Sequence, residues 1–358
     1  MALNQSKVKS FRRCQKQYSF RHDYAPEGLE LVPKYPTLPL KIGGWLHTCQ
    51  QAFHAEWAGV KGADWEAVHD RLTHEFNQMF TEEKEQYGDL PGESDRLMRS
   101  YIRHLAKDQD RFEVATLKNG KPGIEFVVEV PLRKWGINDS FKGRIDLLVH
   151  DYDIRGLWIW DAKWVRKIPT PDERMMDPQR LMYVWALRKM GYDVRGFAHC
   201  YMRKKAPTVP ILLKRGGRYG VAGMLTTKPS LDTDLLTYVR AMKAAHGSQW
   251  KMLAKTYYAD KIRTLKAREE TWFRRELSPV QPGMINQALG EFLATALDIE
   301  KRRTDDFVPR TYQYNCKFQC NYHDPCVAEF AGLDIEPLLK ARFQYEEERY
   351  FGDEDEED

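Results

Sequence analysis

The chain predicts an α/β fold with a mixed central sheet, and three stretches carry that expectation. Residues 141–149 and 157–164 are apolar and β-prone, and the turn-rich segment 150–156 between them makes the pair a β-hairpin. Asp177 is a suitable N-cap, Pro178 suits the first helical position and Gly191 follows the last apolar residue, which brackets a helix over 178–190. Residues 193–203 read as a further strand. A β-β-α-β order with helices ahead of it argues for a layered core rather than a bundle.

The elements follow in chain order. Residues 6–24 carry Phe11, Cys14, Tyr18 and Phe20 among basic residues, which predicts a short helix with its aromatic side inward. After a Pro-containing loop over 26–39, residues 44–57 read as a helix with His47 and His54 seven apart on one face. Residues 64–80 and 94–116 predict charged helices inserted before the sheet. The strand 124–130, IEFVVEV, alternates apolar and acidic residues; Glu125 is expected to face solvent, and Glu129 reads as one more acid of an exposed sheet face, with metal assistance at the site as its alternative. Residues 231–245 and 286–303 read as amphipathic helices beside the core.

The chemistry concentrates in Gly143-Arg144-Ile145-Asp146, in Asp161-Ala162-Lys163 and in Gln179 with Tyr183. Asp146 and Asp161 each sit in a strand expected to be buried, where a carboxylate is costly unless it is paired or holds a cation. Two such acids can share Mg²⁺ or Mn²⁺, with a backbone carbonyl such as that of Ala162 as a further oxygen ligand. The strand period of two puts Lys163 on the face of Asp161. Its ammonium there could orient or deprotonate a water, or offset charge developing on a phosphate. Gln179 and Tyr183 are one helical turn apart and point the same way. These residues predict a metal-dependent site that cuts phosphodiester bonds.

The motifs G-x-x-D, D-x-K and Q-x-x-x-Y, in this order, resemble those of the PD-(D/E)xK nuclease superfamily, in its RecB-like branch with Cas4, the AddB nuclease domain and exonuclease V. The resemblance implies a restriction-endonuclease-like core with a mixed central sheet, a helical insertion and a C-terminal iron–sulfur region. It also implies a metal-binding His in a G-x-x-x-H pattern on an upstream helix, which His47 supplies. Four cysteines around a [4Fe–4S] cluster complete the expectation, and Cys14, Cys316, Cys320 and Cys326 follow the order. The spacing C-x3-C-x5-C and Gln15 after Cys14 depart from the commoner pattern. Zinc held by the four thiolates, or with His323 replacing one, is the rival occupant.

On this basis residues 1–40 form an N-terminal segment with the first cluster cysteine, 41–120 a helical region with the metal-binding His, and 121–225 the nuclease core. Residues 226–310 form C-terminal helices, 311–345 the cluster-binding region and 346–358 an acidic tail. The implied activity is exonucleolytic hydrolysis of single-stranded DNA from the 5′ end. Two alternatives are a non-catalytic DNA-binding scaffold and an end-processing subunit, with a helicase or recombination partner, in recombination or spacer capture. The motifs themselves do not separate DNA from RNA.

Composition agrees with this reading. The 358 residues are 42% hydrophobic, enough for a sizeable core. A polar, basic N-terminus and the lack of any long apolar run predict a cytoplasmic protein without a membrane segment. Six cysteines in such a compartment point to metal ligation or plain burial rather than disulfides; Cys200 is expected in the core. The net charge is +4, and the last thirteen residues carry −8, which leaves +12 on residues 1–345 for a polyanion. The tail itself reads as a solvated end, or as a nucleic-acid mimic that competes for the basic channel. Basic clusters at Lys163, Arg166 and Lys167, at 203–205, at 214–218 and at Arg274-Arg275, with ten Trp and eighteen Tyr, suit a single-strand track. No P-loop pattern occurs, which argues against an ATP motor.

Overall fold

The computed structural model describes residues 2–106, 111–153, 155–165, 168–204, 207–267, 273–303, 307–314 and 316–347. At the N-terminus β1 (Ala2–Leu3) leads into α1 (Gln5–Arg13), α2 (Gln15–His22) and β2 (Leu29–Pro33). A helical block follows: α3 (Leu38–Trp57), α4 (Trp65–Gln78), α5 (Thr81–Glu85) and α6 (Leu90–Leu105). The strands β3 (Phe112–Val114), β4 (Ile124–Pro131), β5 (Ser140–Asp151) and β6 (Gly156–Val165) come next. Helices α7 (Pro171–Met175) and α8 (Pro178–Lys189) then connect to β7 (Val194–Arg203). The rest is α9 (Leu235–His246), α10 (Trp250–Lys255), α11 (Ala259–Lys266), β8 (Phe273–Pro279), α12 (Pro282–Arg302), α13 (Cys316–Gln319), α14 (His323–Phe330), α15 (Glu336–Arg342) and β9 (Phe343–Glu347).

The expected hairpin is the spine of a seven-stranded mixed sheet, ordered β1-β5-β6-β7-β8, with β3 and β4 also paired to β5. Strand β5 runs antiparallel to both β4 and β6, β6 and β7 run parallel, and β8 returns antiparallel. Helix α8 makes the crossover from β6 to β7 that a parallel pair requires. It is capped as the sequence suggests, with the Asp177 side chain accepting from Gln179 N–H at 3.0 Å.

Helices cover both faces of the sheet. Val184, Ala186 and Leu187 of α8 are fully buried, and α12 lays Ile285, Ala288, Phe292, Ala296 and Ile299 into the same core, a stripe at helical spacing. On the other face α3, α4 and α6 pack through Trp45, Leu46, Phe76, Met98 and Tyr101 against Leu147, Val149, Trp158 and Trp160. Among the described residues, no helix is long and apolar enough to cross a membrane.

Three local expectations change. The single helix over 6–24 is two helices that meet at Cys14, whose backbone is extended, with φ −166° and ψ 116°. The charged helix over 94–116 ends near Leu105, because Phe112–Val114 gains ladder bonds by pairing with Val149–Asp151. The region 226–310 is not helical throughout, since β8 closes the sheet edge along β7. Beyond the sheet, β2 and β9 pair antiparallel, so the first residues of the acidic tail, Glu346 and Glu347, belong to a strand. The tail from 348 onward, with its proposed mimicry, lies outside the described residues.

Candidate active site

Strand register builds the site. Strands β5 and β6 are paired up to Leu147 and Trp160 and then diverge, so that Asp146 and Asp161 are the first residues past the fork, opposite each other. On the other edge of β5, Ile124 pairs with Leu147 and Phe126 with Ile145, which sets Glu125 opposite Asp146. In β7, His199 is the partner of Asp161. Cross-strand neighbours share a face, so Glu125, Asp146, Asp161 and His199 form one transverse row over four strands.

The row is completed from α3. His47 Nε2 lies 3.1 Å from Glu125 Oε1. Single ligand atoms of His47, Glu125 and Asp146 lie within 4.8 Å of one another. Glu125 adopts φ 47°, a left-handed conformation unusual for a non-glycine residue inside a strand. That distortion stores strain where the carboxylate meets the imidazole. Its Oε2 is buried without a hydrogen-bond partner, which fits a carboxylate waiting for a cation. Here the sequence expectation is corrected: Glu125 joins the site and does not face solvent. Glu129 pairs instead with Lys142 at 3.2 Å. Four residues along a strand put it about 13 Å from the row.

Asp161 pairs along its own strand and toward β7. Its Oδ2 stands 3.1 Å from Lys163 Nζ and 3.6 Å from His199 Nδ1, the second too long for a hydrogen bond. Ala162 lies between Asp161 and Lys163 and pairs with Cys200, a buried core residue as expected. Lys163 Nζ reaches Gln179 Oε1 at 3.5 Å, and Gln179 Nε2 donates to the Tyr183 hydroxyl at 3.0 Å. Gly143 is needed beneath that pair, because a Cβ there would come 2.5 Å from the Tyr183 ring. His54 leaves the row altogether and bonds the Tyr101 hydroxyl at 2.7 Å.

Electrostatics follow from this crowding of acids. Burial pushes the Asp146 carboxyl up to about 8, and the neighbouring Asp161 charge adds to it. Burial would lower the His47 imidazole, but Glu125, Asp146 and Asp161 outweigh it and lift the ring to about 9. Asp161 is held below the usual carboxylate range: burial opposes ionisation, but Lys163 and His199 prevail. Lys163 is raised, mainly by Asp161. Clustered buried carboxylates with one imidazole are the donor set of a hard or borderline divalent cation.

A family model of the PD-(D/E)XK nuclease superfamily matches residues 2–327. The chain belongs to this superfamily. No curated protein sequence matches it. Nucleases of the PD-(D/E)XK superfamily use divalent metals, and the His47, Glu125 and Asp146 group is a metal site that this chain offers.

A second constellation of this PD-(D/E)XK protein lies away from the sheet. Cys14, Cys316, Cys320 and Cys326 line one open pocket of about 500 Å³ with Arg13, Phe20 and Arg310. Burial, then the neighbouring thiols, raise the Cys320 thiol; burial raises that of Cys326 against Arg310. Backbone N–H groups of Thr311 and Gln313 donate to the sulfurs of Cys14 and Cys316, at 3.5 and 3.2 Å. Protein contacts brace the pocket as well: Lys16 pairs with Glu329 at 2.6 Å, and Tyr322 packs with Phe20, Leu31 and Phe343.

The basic clusters divide. Arg203 pairs with Asp232, Arg274 with Glu276, and Arg275 stacks on Phe112, Trp160 and Phe273, so these three serve the fold. Lys214, Arg215 and Arg218 are exposed. Arg166, Lys167 and Lys205 lie outside the described residues. Sequence reasoning also passed over His199, whose fully buried ring has neither nitrogen hydrogen-bonded. The signal was present in the parallel register of β6 and β7, which no local pattern reveals.

Proposed function

We propose that this protein is a Mg²⁺- or Mn²⁺-dependent exonuclease that degrades single-stranded DNA from its 5′ end. The observation that carries the reading is the transverse row of Glu125, Asp146 and Asp161, flanked by His47 on one side and Lys163 on the other. His47, Asp146 and Asp161 hold the cation, with Glu125 and the Ala162 carbonyl as further donors. A divalent cation held there supplies Lewis-acid polarisation of a phosphoryl oxygen and a more acidic water.

The side chains have distinct tasks. Lys163, ionised beside Asp161, positions the attacking water and offsets the charge that builds on the phosphate. Gln179 keeps Lys163 aimed, and Tyr183 fixes the Gln179 amide in turn. The fork between β5 and β6, where Asp146 and Asp161 face each other, is where the substrate strand would cross the acids.

The cysteine pocket is read as the seat of a [4Fe–4S] cluster. Four thiols in one pocket with N–H groups on the sulfurs are a suitable donor set.

The test is cleavage of single-stranded DNA labelled separately at its 5′ and 3′ ends, with Mg²⁺, Mn²⁺ or EDTA. Metal-dependent release of the 5′ label in short products is expected. First loss of the 3′ label would reverse the polarity, and tight binding without cutting under any metal would favour a scaffold.

A further inference from the structure

Between β7 and α9 the chain builds a hairpin arm that the nuclease chemistry does not use. Leu213 N–H donates to the Met224 carbonyl at 2.8 Å and Gly223 N–H to the Leu213 carbonyl at 2.9 Å, while Thr226 N–H donates to Ile211 at 3.0 Å. Near the tip, Gly217 and Gly220 close a further bridge. Three tyrosines of the following helical segment anchor the arm. The Tyr257 and Tyr258 hydroxyls accept from the N–H groups of Val221 and Leu225 at 3.1 and 2.7 Å, and the Tyr238 hydroxyl donates to the Thr226 carbonyl at 3.0 Å.

Its charge is one-sided. Residues 207–231 contain Lys214, Arg215, Arg218 and Lys228 and no acid at all. All four cations are exposed. Beside them Val209, Ile211 and Leu212 are also open to solvent, at 64%, 66% and 50%. A hairpin that spends its backbone bonds on rigidity and presents exposed positive charge with no acid in its own sequence is built for a polyanion.

Placement connects the arm to the site. It leaves β7 just past Arg203, two residues beyond the Tyr201 that pairs with Lys163, or about 7 Å farther along the sheet. Lys204 donates to the Pro39 carbonyl at 2.9 Å, which fixes the root of the arm against the start of the helix that carries His47.

We propose that residues 207–228 form a nucleic-acid-gripping arm, in which Lys214, Arg215 and Arg218 hold the phosphates of the strand outside the cleavage site and the exposed apolar side chains lie against its bases. This deepens the nuclease reading and rests on it only for the identity of the ligand.

The experiment compares the full-length wild type with Lys214→Ala/Arg215→Ala/Arg218→Ala. A fluorescent single strand of about 30 nucleotides, longer than a single-strand site of about 4–16, is titrated with Ca²⁺ in place of Mg²⁺. Each phosphate contact contributes about 0.7 to the salt slope of single-strand binding. The variant should therefore show a slope shallower by about 2, so that between about 50 and 200 mM salt it loses about 16-fold less affinity than wild type. Its Mg²⁺-dependent cleavage of a strand of about six nucleotides, too short to span the arm, should be unchanged. Arg215→Gln/Arg218→Gln, which keeps polar side chains on the hairpin, should lower the slope by about 1.4. An unchanged slope in both variants overturns the arm. If the wild type cuts nothing and the slope still drops, the nuclease reading fails and the arm stands.

Discussion

The metal row and the cysteine pocket are both gatherings of ligand side chains, and they are held in opposite ways. In the row, Glu125, Asp146 and Asp161 come from three consecutive strands spanning fewer than forty residues, and backbone ladders set their spacing. In the pocket, Cys14 meets three thiols some three hundred residues later, on short helices and turns. A ladder positions side chains without a ligand; the pocket relies on a few ion pairs and one small aromatic cluster. The contrast predicts that loss of the first, preorganised site is chemical, whereas loss of the second, with a cluster bound as proposed, is conformational.

The sharpest way to break the comparison is Asp161→Ala. Cleavage of single-stranded DNA should fall on the order of 10³-fold, corresponding to about 4 kcal/mol, while melting temperature and DNA affinity hold. Lys163→Ala should behave alike, since it removes a charge from the chemistry but no metal ligand; normal turnover in it would refute its role. Cys320→Ser should do the reverse. It should bleach the visible absorbance of a cluster and lower stability by about 2 kcal/mol, as for the loss of a long cross-link. Hydrogen exchange should then rise in 14–33 and 311–347 together and stay low in β5–β7; uniform protection would dissolve the distinction.

A third test lies within the row. Glu125→Gln should weaken Mn²⁺ binding, read by titration calorimetry, about 10-fold, whereas Glu129→Gln should leave it unchanged. Equal effects would mean that register does not select the ligand.

The smallest effect is in pH. Burial lowers His54, behind the row, to about 3, and His22, near the pocket, to about 2. Folded values below the unfolded 6.5 mean that the unfolded chain takes up protons the fold refuses, so this stability is complete above pH 6.5 and is lost as pH falls toward 3. His54→Gln should reduce the slope of the urea-unfolding free energy across that window by its own share, with His22 adding in the same sense and Asp146, raised to about 8, opposing it above pH 3.8. An unaltered slope would place the acid sensitivity elsewhere.

Much of this was legible in local sequence. The strand period of two joins Asp161 to Lys163, and Asp177-Pro178 starts the helix that brings Gln179 and Tyr183 over them. The family resemblance, rather than any local pattern, set Cys14 beside Cys316, Cys320 and Cys326, and the four line one pocket.

What the sequence alone determined is thus the kind of the central strands β5–β7 and of helix α8, because period and capping are properties of neighbours in the chain. Tertiary structure alone decided which neighbouring strand places what opposite Asp146. The alternation over 124–130 allows Glu125 and Glu129 equally, and only the register of β4 on β5 chooses Glu125. His199 enters through the pairing of β6 with β7, and Cys14 reaches its partners only after the chain breaks from one helix into two. Each depends on contacts between segments far apart in the chain, whose alignment is set by the packing of the whole sheet and not by any stretch within it.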